Sequence, residues 1–447
     1  MQKLMLFFLL TAQGVATATT CNDEIKTPPR LSGFKAISFL KKASKDRENF
    51  LKTISDATNE RSGILEFRIV PAWIQRIFKK APPSLVIVAD PDVTADVLRR
   101  PEEFERGYKP LKVVVGNSFF LKDDSVPEDQ ADWLLAHKAM VAGFSPRFIE
   151  QAYVPIMHEE LARIETSWKA RQKGDGLVEN AQKELYAFSI RVGFRAFMSS
   201  DLSDAEAEEI GTIFGKTFDM AQNQDVRPRV TPLIDRAIAA RPAQLDDALV
   251  LDRLLAAQRE NGLDISWVHD QMITLLFAAQ ETTRYTLAMG MVELSRHPDW
   301  QSRVADDEEA LAFVKEVLRL HSPVPVFPRR LLAAANFGGY RFRARDVFQI
   351  MPYALHRNPR VWGEDANEFK PERWLSDPKP EKTAMCAFGG GIRMCIGATM
   401  ATTEIRLLLQ HLAKTWSIAP IEGPIENGPS FGILTLKNPI HVRLTEK

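Results

Sequence analysis

Apolar residues recur along most of the chain at spacings of three and four, the period of a helix with one buried face. This holds over residues 34 to 59 and almost continuously over 148 to 240, where Asp201-Leu-Ser-Asp and residues 227 to 232 punctuate the run. Strict alternation, the period of a half-buried strand, occurs over residues 64 to 70 and 84 to 89. The second of these ends in Asp90-Pro91, a turn that starts a helix over 94 to 99. The longest helical stretch runs from Ser266, its predicted N-cap, to Arg296, with no glycine or proline until Gly290, and stops before His297-Pro298. Short apolar runs at Phe342 and at 348 to 351 read as further strands. The pattern predicts a mostly α (α+β) chain with a small β region near its N-terminus.

Composition narrows this picture. The chain has 447 residues, 45% of them hydrophobic, enough for a large core. Its formal net charge is +0, so nothing points to nucleic acid as a partner. The cysteines are Cys21, Cys386 and Cys395, an odd and sparse set that makes no disulfide framework and suits a reducing compartment. The histidines show no HExxH or paired Cys/His spacing, which argues against a zinc site.

At the N-terminus Lys3 precedes an apolar run over residues 4 to 10 and then Ala16-Thr17-Ala18, a signal-peptide pattern. The run is too short for a spanning helix of ~20 apolar residues. A cleaved signal, a shallow anchor giving peripheral membrane contact, and a frayed apolar leader all stay open. Location is accordingly cytoplasmic or membrane-associated. Residues 1–22 are set apart as leader, and residues 23–447 are expected to form a single domain.

The densest chemistry lies in FGGGIRMCIG, from Phe388 to Gly397. Gly389, Gly390 and Gly391 suit a loop that turns sharply or lets a flat ligand approach. Arg393 puts a charge two residues before the thiol of Cys395. After Gly397 comes a helical stripe of Ala401, Ile405, Leu408, Leu412 and Trp416. The thiol thus sits where a loop enters a helix, a setting expected to lower its pKa and favour the metal-binding thiolate. The plain alternative is a glycine loop with an inert buried cysteine.

Phe388, Gly391, Arg393, Cys395 and Gly397 match the Phe-x-x-Gly-x-Arg-x-Cys-x-Gly loop of the cytochrome P-450 family, and the chain resembles that family from about Pro28 to Lys447. The resemblance implies haem b (iron protoporphyrin IX) with Cys395 as metal ligand, Phe388 packed beside the sulfur and Arg393 paired with a propionate. Upstream, Ala278-Ala279-Gln280-Glu281-Thr282-Thr283 resembles the family's oxygen-activating segment. The resemblance implies that Ala278 flanks the cofactor, that Thr282 bonds the oxygen being activated and that Glu281 helps relay protons. The family's usual glycine is Ala279 here, which puts the local widening of the helix in doubt. Glu316, Arg319 and Arg373 resemble the Glu-x-x-Arg helix and its later arginine, a buried structural triad. Trp133 and His137, four apart on one helix, match the family's propionate-reaching pair loosely. Arg329 is the expected second propionate partner, with Arg330 its rival.

Residues 108 to 130 read as a surface loop or a substrate lid. Val114, Phe119, Phe218, Leu276, Val324, Phe327 and Ile433 are the expected lining of an apolar substrate pocket. The resemblance implies a haem-thiolate monooxygenase that inserts one atom of O2 into an apolar organic substrate. Electrons would come from a separate ferredoxin or flavoprotein reductase docking near Lys138, Arg393 and Arg406. A peroxygenase or hydroperoxide-rearranging enzyme, and a non-enzymatic haem-binding protein, are the alternatives.

Overall fold

A parallel pair of strands, β1 (Arg30–Ser32) with β2 (Ile64–Arg68), starts a sheet that joins the N-terminal region to strands as late as residues 347–350. The computed structural model describes residues 26–45, 49–68, 83–217, 225–242, 249–421, 423–427 and 432–447. The leader and Phe218 lie outside them. The sheet runs in the order β1, β2, β3 (Leu85–Val88), then strands 347–350, 327–331 and 104–105. In chain order these last are β4 (Phe104–Glu105), β6 (Phe327–Leu331) and β9 (Val347–Ile350). Between them fall β5 (Leu177–Val178) and the hairpin of β7 (Ala335–Phe337) and β8 (Tyr340–Phe342). The antiparallel pair β10 (Trp416–Ile418) and β11 (Val442–Glu446) closes the chain and holds β5.

Helices make up the rest. They are α1 (Phe34–Lys45), α2 (Phe50–Asn59), α3 (Pro91–Arg99), α4 (Pro127–Val141), α5 (Val154–Arg171) and α6 (Gln182–Met198). Then come α7 (Asp204–Thr217), α8 (Arg227–Ala239), α9 (Val250–Glu260), α10 (Ile265–Arg296), α11 (Asp307–Leu320) and α12 (Ala398–Thr415), with short turns of helix between. Three expectations shift. The helical stretch over 34 to 59 is two helices, not one. The stretch at 227 to 232 lies within α8: Pro228 falls in the first turn, whose N–H groups have no partner, and Pro232 stands inside the helix. The N-cap of α10 is Asp264, whose carboxylate accepts from the Ser266 amide at 2.8 Å.

Two apolar cores result. One is helical, built on α4 to α12; the other joins the sheet to α1, α2 and α3. α10 passes through the helical core and is buried on nearly all sides, each large apolar side chain contributing ~1.5–3 kcal/mol. In its middle Ala278 is exposed and Ala279 and Thr282 are half-buried, because there the helix faces a cavity instead of protein. That cavity, about 1330 Å³, lies at the seam and takes lining from both cores.

Candidate active site

The cysteine loop is held by its own backbone. The Cys395 amide donates to the Phe388 carbonyl at 2.9 Å, and the Gly389 amide to the Cys386 carbonyl at 2.9 Å. Gly391 has φ +65° and lies so close to the Leu98 carbonyl of α3 that a Cβ would collide with it. The loop enters α12 at Gly397, whose amide points at the Cys395 thiol. Solvent reaches that thiol only through the cavity, at whose wall it sits with protein all round it.

Burial pushes the Cys395 thiol up, and the Gly397 amide offsets this only in part. The expectation of a lowered pKa is therefore corrected: desolvation outweighs one helix terminus. A thiolate becomes stable here once a cation binds it, since a coordinated thiol is deprotonated outright.

Next to the thiol, three arginines crowd one end of the cavity: Arg106, Arg329 and Arg393, each less than a tenth exposed or half-buried. Arg393 makes a fork to Asp124, with Nε–O distances of 2.8 and 3.0 Å, and lies 4.1 Å over the Trp133 ring. Trp133 stacks in turn with His137 at 4.8 Å between centroids. Among the described residues Arg329 bonds only to the Pro328 carbonyl beside it, at 2.8 Å. Arg106 donates to the Phe120 carbonyl at 3.0 Å, while its Nε, like Nη1 of Arg393, is buried without a partner.

The cluster is short of negative charge. Burial and the nearby Arg329 bring Arg106 down to about 9. Burial, then Arg393, also holds His137 below its usual value. Such a cradle of orphaned guanidinium donors calls for an anion. Alternation along β6 decides between the rivals: Phe327, Arg329 and Leu331 point inward, whereas Arg330 turns away and pairs with Glu105.

On the facing wall, Thr282 Oγ1 donates to the Ala278 carbonyl at 2.7 Å, and Thr286 Oγ1 to the Thr282 carbonyl at 2.9 Å. Glu281 is not with them. Successive residues of a helix point about 100° apart, and Glu281 falls on the side packed against α6 and α7. It is fully buried with Arg284 Nη2 at 2.6 Å, a contact lacking hydrogen-bond alignment, and Arg284 lies 4.6 Å over the Tyr186 ring. Burial pushes Glu281 up to about 7 against the pull of Arg284. The expected acid–alcohol pair is thus split: Thr282 lines the cavity and Glu281 does not.

Behind the loop, the structure brings Glu316, Arg319 and Arg373 together. Glu316 takes Arg319 Nε at 2.8 Å and Nη2 at 2.7 Å, Arg373 Nε at 3.0 Å, Trp374 Nε1 at 2.9 Å and the Lys370 amide at 2.8 Å. Arg319 also donates to the carbonyls of His356 and Ala366, both at 2.6 Å, and of Glu368 at 2.8 Å. His356 ties this network to the cysteine loop. One ring nitrogen faces the Arg319 carbonyl at 3.0 Å and the other accepts from the Cys386 amide at 3.0 Å. Burial keeps the ring neutral, with a pKa brought down to about 3.

Of the expected pocket residues, Phe119, Val324, Phe327 and Ile433 line the cavity. Val114 and Leu276 do not: Val115 takes the place of the first, and Leu276 packs toward Gly193 on α6. The loop around Phe119 is fastened to α10, its amide on Gln271 at 2.9 Å and the Asn117 amide on Asp270 at 2.7 Å. Of the expected partner-docking cations, Arg393 is turned inward and Arg406 is paired with Asp307, which leaves Lys138 exposed. Sequence reasoning missed Arg106, Asp124, His356 and Glu404. Arg106 had a signal: it is two residues beyond Phe104, so it shares the inward face of that strand.

The family model for cytochrome P-450 matches residues 224–312 and 310–444, and the chain belongs to that family. It is an oxidoreductase that incorporates oxygen, a haem-thiolate monooxygenase. Among curated relatives it is 28% identical to cyclooctatin synthase of Streptomyces melanosporofaciens over 390 residues, 76% of this chain and 82% of the relative. It is 26% identical to cyclooctat-9-en-7-ol 5-monooxygenase of the same organism over 388 residues, 76% and 82% of the two chains. Pentalenene oxygenase of Streptomyces avermitilis is 26% identical over 413 residues, 81% and 88%. Among the described residues no helix is long and apolar enough to cross a membrane.

The residues fit the family's haem. A desolvated thiol suits an iron, orphaned arginine donors suit its carboxylates, and the cavity exceeds the ~300–1,000 Å³ of ordinary small-molecule pockets.

Proposed function

We propose that this monooxygenase binds haem b through Cys395 and oxidises a polycyclic terpenoid hydrocarbon or alcohol, taking electrons from a separate reductase or ferredoxin. The observation that carries the reading is the meeting, in one cavity, of the Cys395 thiol, the arginine cradle and the Thr282 hydroxyl. The haem, when bound, supplies oxygen activation. The chain does the rest. Cys395 ligates the cofactor, and Arg106, Arg329, Arg393 and His137 hold its carboxylates and so fix its orientation. Phe388 packs beside the sulfur, and Gly397 keeps an amide on it. Thr282 holds a proton at the cavity wall. Val115, Phe119, Val324, Phe327 and Ile433 exclude water and bind substrate through apolar contact. The substrate class is our inference from relatives named for pentalenene and cyclooctat-9-en-7-ol, and an apolar lining with few polar groups supports it.

The test is the absorption spectrum of the dithionite-reduced protein under carbon monoxide, followed by titration with pentalenene and cyclooctat-9-en-7-ol. A strongly red-shifted Soret band, lost in Cys395→Ala, and a substrate-induced shift of the haem spectrum are expected. Haem uptake without that band removes the thiolate assignment, and a spectrum indifferent to both terpenoids removes the substrate class. A peroxide-driven reaction is the second reading, favoured by the turning away of Glu281. Turnover driven by peroxide but never by NAD(P)H selects it.

A further inference from the structure

On the sheet side of the cavity one amide stands among apolar side chains. Val347 and Gln349 of β9, and Met351 just after it, line the cavity. Phe348 and Ile350 turn instead into the sheet core, where Phe348 packs on Phe104, Phe337 and Phe342. Gln349 is flanked in the sheet by Ile87 of β3 and Pro328 of β6, both of which line the cavity too.

Gln349 is 4% exposed, and its Nε2 is buried with no acceptor among the described residues. The backbone beside it is already engaged, because β9 is a central strand paired with β3 on one side and β6 on the other. Burying an amide unpaired is costly, and an alkyl side chain of the same size would avoid the cost. Set in a cavity wall, such a group offers a donor to whatever enters.

The haem cradle does not account for this amide. Arg329 pairs in the sheet with Phe348, whereas Gln349 pairs with Pro328, so the arginine and the amide leave adjacent strands by opposite faces. Several other polar groups of the wall have partners of their own. Ser84 donates to Glu66, Asn427 accepts from Tyr285, and Thr274, Thr282 and Thr286 donate to carbonyls one turn earlier.

We propose that Gln349 selects the substrate by anchoring an oxygen function that it already carries: an alcohol or ketone oxygen on the terpenoid skeleton accepts a hydrogen bond from Nε2. The inference deepens the substrate class proposed above and rests on it. An oxygen so held fixes one end of a rigid polycyclic skeleton, and with it the carbon presented for oxidation. A hydrocarbon of the same skeleton leaves the amide unpaired, and a site built to bond an oxygen discriminates against an analogue that lacks it. The preferred substrate is therefore a skeleton oxygenated in an earlier step, not the parent hydrocarbon.

The test compares cyclooctat-9-en-7-ol with the same skeleton lacking its hydroxyl. Each is titrated into wild-type, Gln349→Leu and Gln349→Met holoenzymes, and binding is read from the shift of the haem spectrum. Wild type should bind the alcohol about tenfold more tightly than the hydrocarbon. Both variants should bring that ratio to within about twofold of unity by weakening the alcohol alone. They should keep the carbon monoxide spectrum and the hydrocarbon affinity, and oxidation of the alcohol should spread over more carbons. A wild type that binds the two equally overturns the proposal, as does a preference that the variants retain. So does a loss shared by both ligands, which a merely structural role of Gln349 would produce. A wild type that binds neither overturns the terpenoid class itself, and the anchor falls with it.

Discussion

Two groups of arginines in this protein lie within reach of the same loop and are treated in opposite ways. Around Glu316, Arg319 and Arg373 find its carboxylate and four backbone carbonyls, and two neighbouring donors fill the remaining oxygen sites. Around the cavity, Arg106, Arg329 and Arg393 share Asp124 as their close counter-charge and leave buried N–H groups unpaired. A satisfied network of buried charge is a fixture, because every change to it costs. An unsatisfied one is a receptor, since an arriving anion gains what the empty site lacks. Burial alone does not separate the two; the count of partners does.

The largest effect is expected where the network is complete. Glu316→Ala strands Arg319 at full burial and should cost about 3–5 kcal/mol in chemical denaturation, whether or not haem is bound. A loss below about 1 kcal/mol would show that the triad is no fixture.

Next comes the pH dependence of that network through His356. Folded, the ring stays neutral down to about 3; unfolded, it titrates near 6.5. Between those values the unfolded chain binds more protons, so this contribution is complete above the unfolded pKa and is lost as pH falls toward the folded one. The slope reaches at most about 1.4 kcal/mol per pH unit. His356→Asn should flatten the curve in that window, and an unchanged slope assigns it to other groups.

The smallest effect sharpens the contrast. Arg329→Gln should weaken haem retention by about 1–2 kcal/mol, read as faster haem transfer to an acceptor protein. It should leave the stability of the haem-free chain level or raised, because a like charge is removed. A destabilised haem-free chain would place Arg329 with the fixtures.

Much of this was legible beforehand, and where it was not the reasons are physical. The cysteine loop, the Glu316–Arg319 spacing and the long helix are local patterns, and local patterns survive folding. Glu281 failed because adjacency in sequence is not adjacency on a helix: the residue beside Thr282 points some 100° away. Glu404 is readable in principle, as a buried acid four residues before Leu408 that interrupts the apolar stripe of α12. Asp124 and His356 are long-range partners of Arg393 and Arg319, and no spacing announces such pairs.

The cavity is a gap between two cores rather than a hole in one. α10 forms one jaw, and β6 and β9 with α1 form the other, so its width is set by how the jaws lean together. Admitting a bulkier guest then asks the bodies to slide, a smaller demand than excavating close-packed side chains. Breadth of diet in such an enzyme is a property of its seam, and substitutions far from any guest, along the line where the jaws meet, should retune it.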